Sequence, residues 1–340
     1  MSHYLETCVR YVSCSSGGTQ GFIHIGAVSA LQTILGPEAY ARWRHSLRGV
    51  AGCSSGCLMA LAILLDVSLE DLHRSFPLHD IMPRLTGDLQ NAVGKLGASS
   101  VDLITDVVGN VLHLGGLSSS VTLEQLHRFT HTECVFVCTS LTLRARVYLT
   151  HATHPRVRVV DAIAASCCIP GVFRPVRIDG DLMVDGNLLE SIPVPFPTTE
   201  TLQLVVANDP PPGIVDVASY ATTIMTILTR MDEQISRVPS HRRILLCSPD
   251  VIPFDPFITD EASRNVRLHG FVQTMGFLRG GNEQMIVVVL RWCVYVRIRY
   301  SLTVDLTTSD REDVPPSSAS RGAAPDGACV GPESRSSRSG

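Results

Sequence analysis

Between Gly49 and Leu65 the chain reads GVAGCSSGCLMALAILL: an apolar run, two serines enclosed by glycines, and a second apolar run that follows without a break. LRGVAG has the character of a short buried strand, and CLMALAILL suits a buried helix. A strand that passes this abruptly into a helix needs a sharp corner. Gly52-Cys53-Ser54-Ser55-Gly56 has the G-x-S-x-G form of such a corner, in which flanking glycines let the backbone fold tightly and the central residue stands at the tip. Ser54 is therefore the candidate nucleophile, and Ser55 holds the permissive fourth position where the helix opens. Taken alone, the pentapeptide also fits a plain polar turn that closes a strand.

The surrounding sequence extends this alternation. VRYVSCSSGGTQGFIHIGAVSALQTIL predicts a strand, a Gly-rich loop and an amphipathic helix from about His24 to Leu35. Ser68 to Phe129 is mostly helical in pattern, with Thr122 and Gln125 placed for a capping box. The Gly-interrupted middle of that segment suits either a mobile cap over a site or a plain pair of surface helices. CVFVCTSL, ARVYLTH and RVRVV then read as strands, DAIAAS as a short helix, and PVRIDGDLMVDG as a hairpin turning at Asp179 to Asp181. LQLVVAN and RRILLCS are further strands, separated by a long helical stretch, YATTIMTILTRMDEQISRV. Strands alternating with helices imply an α/β fold whose central sheet is mostly parallel and covered by helices on both faces.

The 340 residues are 45% apolar, enough for a single large α/β domain, which the pattern places at residues 8–280. Residues 281–306 are expected to be a strand-rich extension, a strand pair or edge strand, because Arg291, Arg297 and Arg299 interrupt MIVVVLRWCVYVRIRYSLTV too closely for a membrane span. Residues 307–340 are rich in Ser, Pro and Gly and predict a disordered tail. The formal charge of -4, without a basic stripe carrying interleaved aromatics, argues against a nucleic-acid partner. MSHYLETCVRYVSCSS lacks the basic and then apolar order of a signal peptide, so a cytoplasmic location is expected. Eleven cysteines, several of them inside apolar patterns, read as free buried thiols. Cys53/Cys57 and Cys134/Cys138 lack the complementary Cys/His set of a zinc site, so no metal is expected.

Acyl transfer needs a nucleophile, a base for its proton, and donors aimed at the developing oxyanion. SSGGTQGFIHIG offers the donors, since Gly17 and Gly18 precede a helix N-terminus, where bare backbone turns its N–H groups toward negative charge. The same loop lacks the G-K-[ST] ending of a phosphate-binding loop. LMVDGNLLESIPV places Asp185 at the end of an apolar strand, where a plain Asp-Gly turn is the alternative reading.

In this order the sequence resembles the patatin-like phospholipase family, serine lipid acyl hydrolases that use a Ser-Asp dyad in place of a Ser-His-Asp triad. The resemblance runs from about Val12 to Leu278. Three blocks carry it: SSGGTQGFIHIGAVSAL as the oxyanion loop, GCSSG as the elbow, and VVDAIAASCCIPGVFRPVRIDGDLMVDGNLLESIPV as the stretch through the D-G-[GA] aspartate. It implies a three-layer patatin-like fold with a central, mostly parallel sheet flanked by helices. It also implies Ser54 as nucleophile, Asp185 as base and proton acceptor, Gly17 and Gly18 as oxyanion donors, and Gly21, Gly52, Gly56 and Gly186 as supporting glycines. The implied activity is hydrolysis of fatty acyl esters of phospholipids or triacylglycerols through an acyl-serine, without a cofactor, at a membrane or lipid-droplet surface.

Three positions depart from the family pattern: Ser16 stands where a glycine is usual, Gln20 where Arg or Lys is usual, and Asn187 where the motif ends in Gly or Ala. Gln20 removes a positive charge, which implies a slower reaction or an altered preference for anionic lipids. It leaves open a lipid-surface binding protein on the same scaffold. An ordinary triad with His241 or His269 as base is a further alternative. His24 reads as a packing histidine. Ile81, Met82 and Leu85, with Arg84 and Lys95, make a candidate segment for peripheral docking, with packing on the main domain as the alternative.

Overall fold

The computed structural model describes residues 2–75, 96–207, 223–224, 240–248, 251 and 258–279. The expected docking residues Ile81 and Met82, most of the helix expected over Tyr220 to Val238, and the extension and tail from residue 281 onward lie outside the described residues.

The strands are β1 Tyr11–Cys14, β2 Gly49–Cys53, β3 Gly97–Ser99, β4 Glu133–Ser140, β5 Ala145–Leu149, β6 Gly171–Phe173, β7 Val176–Ile178, β8 Asp181–Asp185, β9 Thr201–Val206 and β10 Arg243–Leu246. The helices are α1 Ser2–Cys8, α2 Ile23–His45, α3 Ser55–Leu65, α4 Leu69–Arg74, α5 Asp102–Leu114, α6 Leu123–Thr130, α7 Val159–Ser166 and α8 Asp260–Leu278. The main sheet runs in the order β10-β9-β1-β2-β4-β8-β7, with β5 also on β4, and β3 pairs with β6 separately. From β10 to β4 every pairing is parallel, whereas β5, β7 and β8 join antiparallel. Helices flank this central sheet, as the α/β pattern predicts.

Successive strand residues point to opposite faces, and burial sorts them accordingly. Val12, Cys14, Val50, Phe136, Cys138, Leu202, Leu204 and Leu246 share one large cluster with side chains from α2, α3, α5, α7 and α8. Each fully buried Leu or Ile in it contributes roughly 1.5–3 kcal/mol. On the opposite face Ala51 and Val135 pack with Phe196, and Val205 packs with Ile192. Ser13 Oγ and Gln203 Nε2 both donate to the Pro193 carbonyl, at 2.6 and 3.3 Å. The extended chain that follows β8 is thereby laid across the sheet.

Local sequence accounts for the element ends. The expected helix from His24 to Leu35 is the first part of α2, which breaks at Gly36 (φ 73°) before Pro37, because proline disfavours helical backbone in the residue before it. Thr122 and Gln125 form both bonds of the capping box at the start of α6. The β7–β8 hairpin turns through Asp179 and Gly180, both at positive φ, as a two-residue hairpin requires.

Two expectations are corrected. RVRVV is not a strand: Arg158 makes an isolated bridge to Thr122, and Val159 and Val160 open α7 with their side chains buried. Burial in the helical layer overrides the β-propensity of consecutive valines. Within the mostly helical 68–129 segment, Gly97–Ser99 form a strand, paired parallel with β6. Among the described residues no helix is long and apolar enough to cross a membrane.

The edge of β4 positions the site. β5 covers one edge of β4 from Phe136 to Ser140, so β2 and β8 must share the other. β2 runs parallel to β4 and ends with Cys53 opposite Val137, while β8 runs antiparallel and ends with Asp185 opposite Cys138. The two strands therefore point at each other along one edge, and their last residues face consecutive positions of β4.

Candidate active site

Ser54 lies between β2 and α3 with φ 52° and ψ -128°, a conformation that costs a non-glycine residue roughly 1–3 kcal/mol. The surroundings hold it there. Its backbone N–H donates to Ser166 Oγ at 2.9 Å, and that hydroxyl donates onward to the Val137 carbonyl at 2.6 Å. A Cβ on Gly52 would strike the Cys57 backbone, and one on Gly56 would strike the carbonyls of Cys14 and Ser15. Both glycines of the pentapeptide are thus required by close approach of backbone to backbone.

Beyond the corner, Ser54 Oγ donates to Asp185 Oδ2 at 2.8 Å, and the Asn187 N–H donates to Oδ1 at 2.8 Å. The Asp185 backbone N–H is fixed by the Cys168 carbonyl at 2.9 Å. Ser54 is 6% and Asp185 2% exposed. Burial pushes the Asp185 carboxyl up to about 7, partly opposed by the bonds from Asn187 and Ser54. The carboxylate is thus poised between its two protonation states near neutrality, where a general base is most effective. No hydrogen bond joins Ser54 to His241 or His269 among the described residues. His241 is exposed on a short turn and His269 sits on α8.

The Gly-rich loop lies against the elbow. Gly17 leads into a turn of 3-10 helix, Gly18–Phe22, that runs directly into α2. Gly18 takes φ 52°, and a Cβ on Gly21 would meet the Ser55 side chain. Outside the helices and strands, neither the Gly17 nor the Gly18 N–H donates to a backbone carbonyl among the described residues. At the other side of the dyad, a Cβ on Gly186 would strike the Val137 carbonyl. His24 is fully buried, and burial pushes its imidazole down to about 4, so it is a neutral packing residue as expected.

The three departures fall into two structural roles. Ser16 Oγ donates to Asn187 Oδ1 at 2.8 Å and sits 2.6 Å from Ser191 Oγ, which ties the Gly-rich loop to the loop after Asp185. Gln20, expected to matter as a missing charge beside the site, is 2% exposed, with Nε2 donating to the carbonyls of Ser248 and Val251. Its carboxamide braces the chain that follows β10.

Several contributors carry no sequence signal of their own. Ser166 ends a short apolar helix and is indistinguishable from a capping serine until Ser54 is placed against it. Glu190 is 3% exposed, and it receives Arg146 Nη1 at 3.0 Å and Tyr148 Oη at 2.7 Å. That cluster anchors the post-Asp185 loop to β5. Cys53, Cys57, Cys138 and Cys167 are free, buried thiols that burial pushes well up, so they are packing groups and not nucleophiles.

Comparison with known proteins gives the family and the likeness of fold. The sequence model described as patatin-like phospholipase matches residues 12–197. Two uncharacterized NTE family proteins, one from Mycobacterium bovis and one from Mycobacterium tuberculosis, are 29% identical over 186 residues, 54% of this chain and 44% of theirs. The chain thus spans less than half the length of the curated relatives it matches. VipD from Legionella pneumophila superposes with a TM-score of 0.51 at 15% identity, over 80% of this chain and 67% of VipD, a likeness of fold.

Proposed function

The chain belongs to the patatin-like phospholipase family, and on that premise we propose that residues 8–280 are a lipid acyl hydrolase domain cleaving fatty acyl esters of phospholipids or triacylglycerols. The observation that carries the reading is the 2.8 Å bond from Ser54 Oγ to Asp185 Oδ2 at a strained, buried corner. In the first step Ser54 Oγ attacks the ester carbonyl while its proton passes to Asp185. The N–H groups of Gly17 and Gly18 receive the oxyanion, a contribution worth roughly 3 kcal/mol per donor in comparable sites. Collapse of the tetrahedral intermediate breaks the ester C–O bond, and Asp185 returns the proton to the leaving alcohol. Water, activated by the same carboxylate, then hydrolyses the acyl-Ser54 ester. The chemistry requires neither metal nor cofactor, and the substrate is met at a membrane or lipid-droplet surface.

The intact dyad bond favours the hydrolase over the alternative of a lipid-surface binding protein on the same scaffold. A fluorophosphonate probe tests the reading. Labelling of the wild type that disappears in Ser54→Ala, with fatty acid release from lipid undiminished by excess chelator, is the expected result. Failure of folded wild type to label, or hydrolysis that persists in purified Ser54→Ala, overturns it.

A further inference from the structure

We propose that Ser55 is a positioning residue of the site: its side chain seats in the notch left by Gly21 and sets how closely the Gly-rich loop stands to the nucleophile. The proposal rests on the lipid acyl hydrolase reading, in which the N–H groups of Gly17 and Gly18 receive the oxyanion.

Among the described residues, one neighbour keeps Gly21 from carrying a side chain. A Cβ there would lie 2.5 Å from Ser55 Oγ and 2.6 Å from Ser55 Cβ, and the next atom, Ser55 Cα, stands at 4.0 Å, an ordinary contact. Gly21 is not one of the glycines at positive φ, so its backbone accepts alanine and space alone forbids it. The Ser55 hydroxyl, for its part, is buried and makes no hydrogen bond among the described residues. An unpartnered buried hydroxyl adds no bond to the fold, so what Ser55 supplies is volume. The fourth position of the elbow, permissive in the general pattern, is thereby fitted to the loop in this chain.

The contact reaches both sides of the chemistry. Ser55 directly follows Ser54. Gly21 in turn supports Gly17: a Cβ on Gly17 would come 3.2 Å from the Gly21 nitrogen and 3.3 Å from its Cα, so the two backbones lie close against each other. Nor can the loop retreat. The same Cβ on Gly17 would lie 3.0 Å from Val206 Cγ2, and Gln20 Nε2 is held by the carbonyls of Ser248 and Val251. Behind the loop α2 is pressed on α8, where a Cβ on Gly26 would strike the Arg267 carbonyl and one on Gly270 the Ile23 carbonyl. A methyl group added at Gly21 must move by about 1 Å to reach the roughly 3.5 Å of normal carbon contact. With the loop clamped behind, that movement shifts the oxyanion donors relative to Ser54.

The test is a double-mutant cycle in the full chain, comparing wild type, Gly21→Ala, Ser55→Gly and the two together. It is read by kcat and KM on a soluble short-chain ester and by the unfolding temperature. Gly21→Ala should lower kcat by about a hundredfold and leave KM within about twofold, as misplacement of reacting groups by about 1 Å does. Adding Ser55→Gly clears the space and should recover about tenfold or more of that loss, together with the unfolding temperature. Ser55→Ala keeps the Cβ and should not rescue Gly21→Ala. If Gly21→Ala alone does not fold, recovery of a folded, active chain on adding Ser55→Gly is the same result. Additive losses, equal rescue by Ser55→Ala, or a restored unfolding temperature with kcat still depressed each overturns the proposal. A wild type that cleaves no ester and takes no fluorophosphonate sinks the hydrolase reading alone, since the cycle in unfolding temperature still reads the seat. A wild type that cleaves ester, with no coupling in the cycle, sinks the seat alone.

Discussion

Ser16 Oγ donates to Asn187 Oδ1 at 2.8 Å, so two residues that each depart from the family pattern are bonded to each other. One sits in the Gly-rich loop and the other directly behind Asp185, where its own N–H supports the carboxylate. Replacing either by glycine removes the cross-link. Ser16→Gly and Asn187→Gly should each reduce kcat/KM, and the double variant should lose less than the sum. A coupling of about 1 kcal/mol is expected for groups in direct contact. Strict additivity in the double-mutant cycle would mean that the bond does not couple the two loops.

The pH response of Asp185 has a fixed sign. Burial raises its carboxyl from an ordinary 3.8 to about 7, so the folded chain holds this proton more tightly than the unfolded chain does. Stability from this group is complete at acidic pH and declines as pH rises from about 4 through about 7. Activity that uses the ionised form runs oppositely, and kcat/KM should climb with a midpoint near 7. Asp185→Asn should abolish turnover and unfold at a higher temperature than wild type at pH 8, with the gap narrowing toward pH 5. Thermal unfolding at several pH values measures it, and a gap that widens toward acid contradicts the assignment.

The positive φ of Ser54 separates function from stability. Ser54→Ala and Ser54→Gly both lose the hydroxyl and should both lose at least about 10⁴-fold in kcat. Only glycine relaxes at φ 52°, so the glycine variant should be about 1 kcal/mol more stable than the alanine variant. Denaturant midpoints of the two proteins decide the matter.

Ser166 is the positioning group for the corner. Ser166→Ala leaves the Ser54 N–H and the Val137 carbonyl without their partner, at a cost of about 1–3 kcal/mol for buried groups. It should lower kcat by tenfold or so while leaving KM nearly unchanged. A variant as active and as stable as wild type would remove Ser166 from this role.

How much of this was legible in the sequence depended on whether the physical demand was local. Gly52 and Gly56 announce the corner because any Cβ there collides with backbone, and Gly36-Pro37 announces the break in α2. The family resemblance and the α/β alternation are likewise borne by residues close together in the chain. Illegible were features created by elements that meet only after folding. Nothing in Glu190 foretells Arg146 and Tyr148, which are brought to it by the pairing of β5 with β4. The bracing role of Gln20 was hidden for the same reason: its partners are carbonyls 228 and 231 residues away. RVRVV shows the converse, a locally strand-like run that tertiary burial turned into the start of a helix.

The head-on meeting of β2 and β8 along β4 also fixes when the site can exist. Ser54 and Asp185 are 131 residues apart in the chain, and the strand that bears the aspartate is among the last of the sheet's inner members to be synthesised. A growing chain that has emerged as far as β5 already holds the sheet positions that receive β2, yet it has no acid to face the serine. Long-range pairings of this kind form late, since the intervening chain must be closed before they are rewarded. The Ser54–Asp185 pair is therefore withheld from the nascent chain until the β7–β8 hairpin docks, and no fragment ending before Asp181 can carry it.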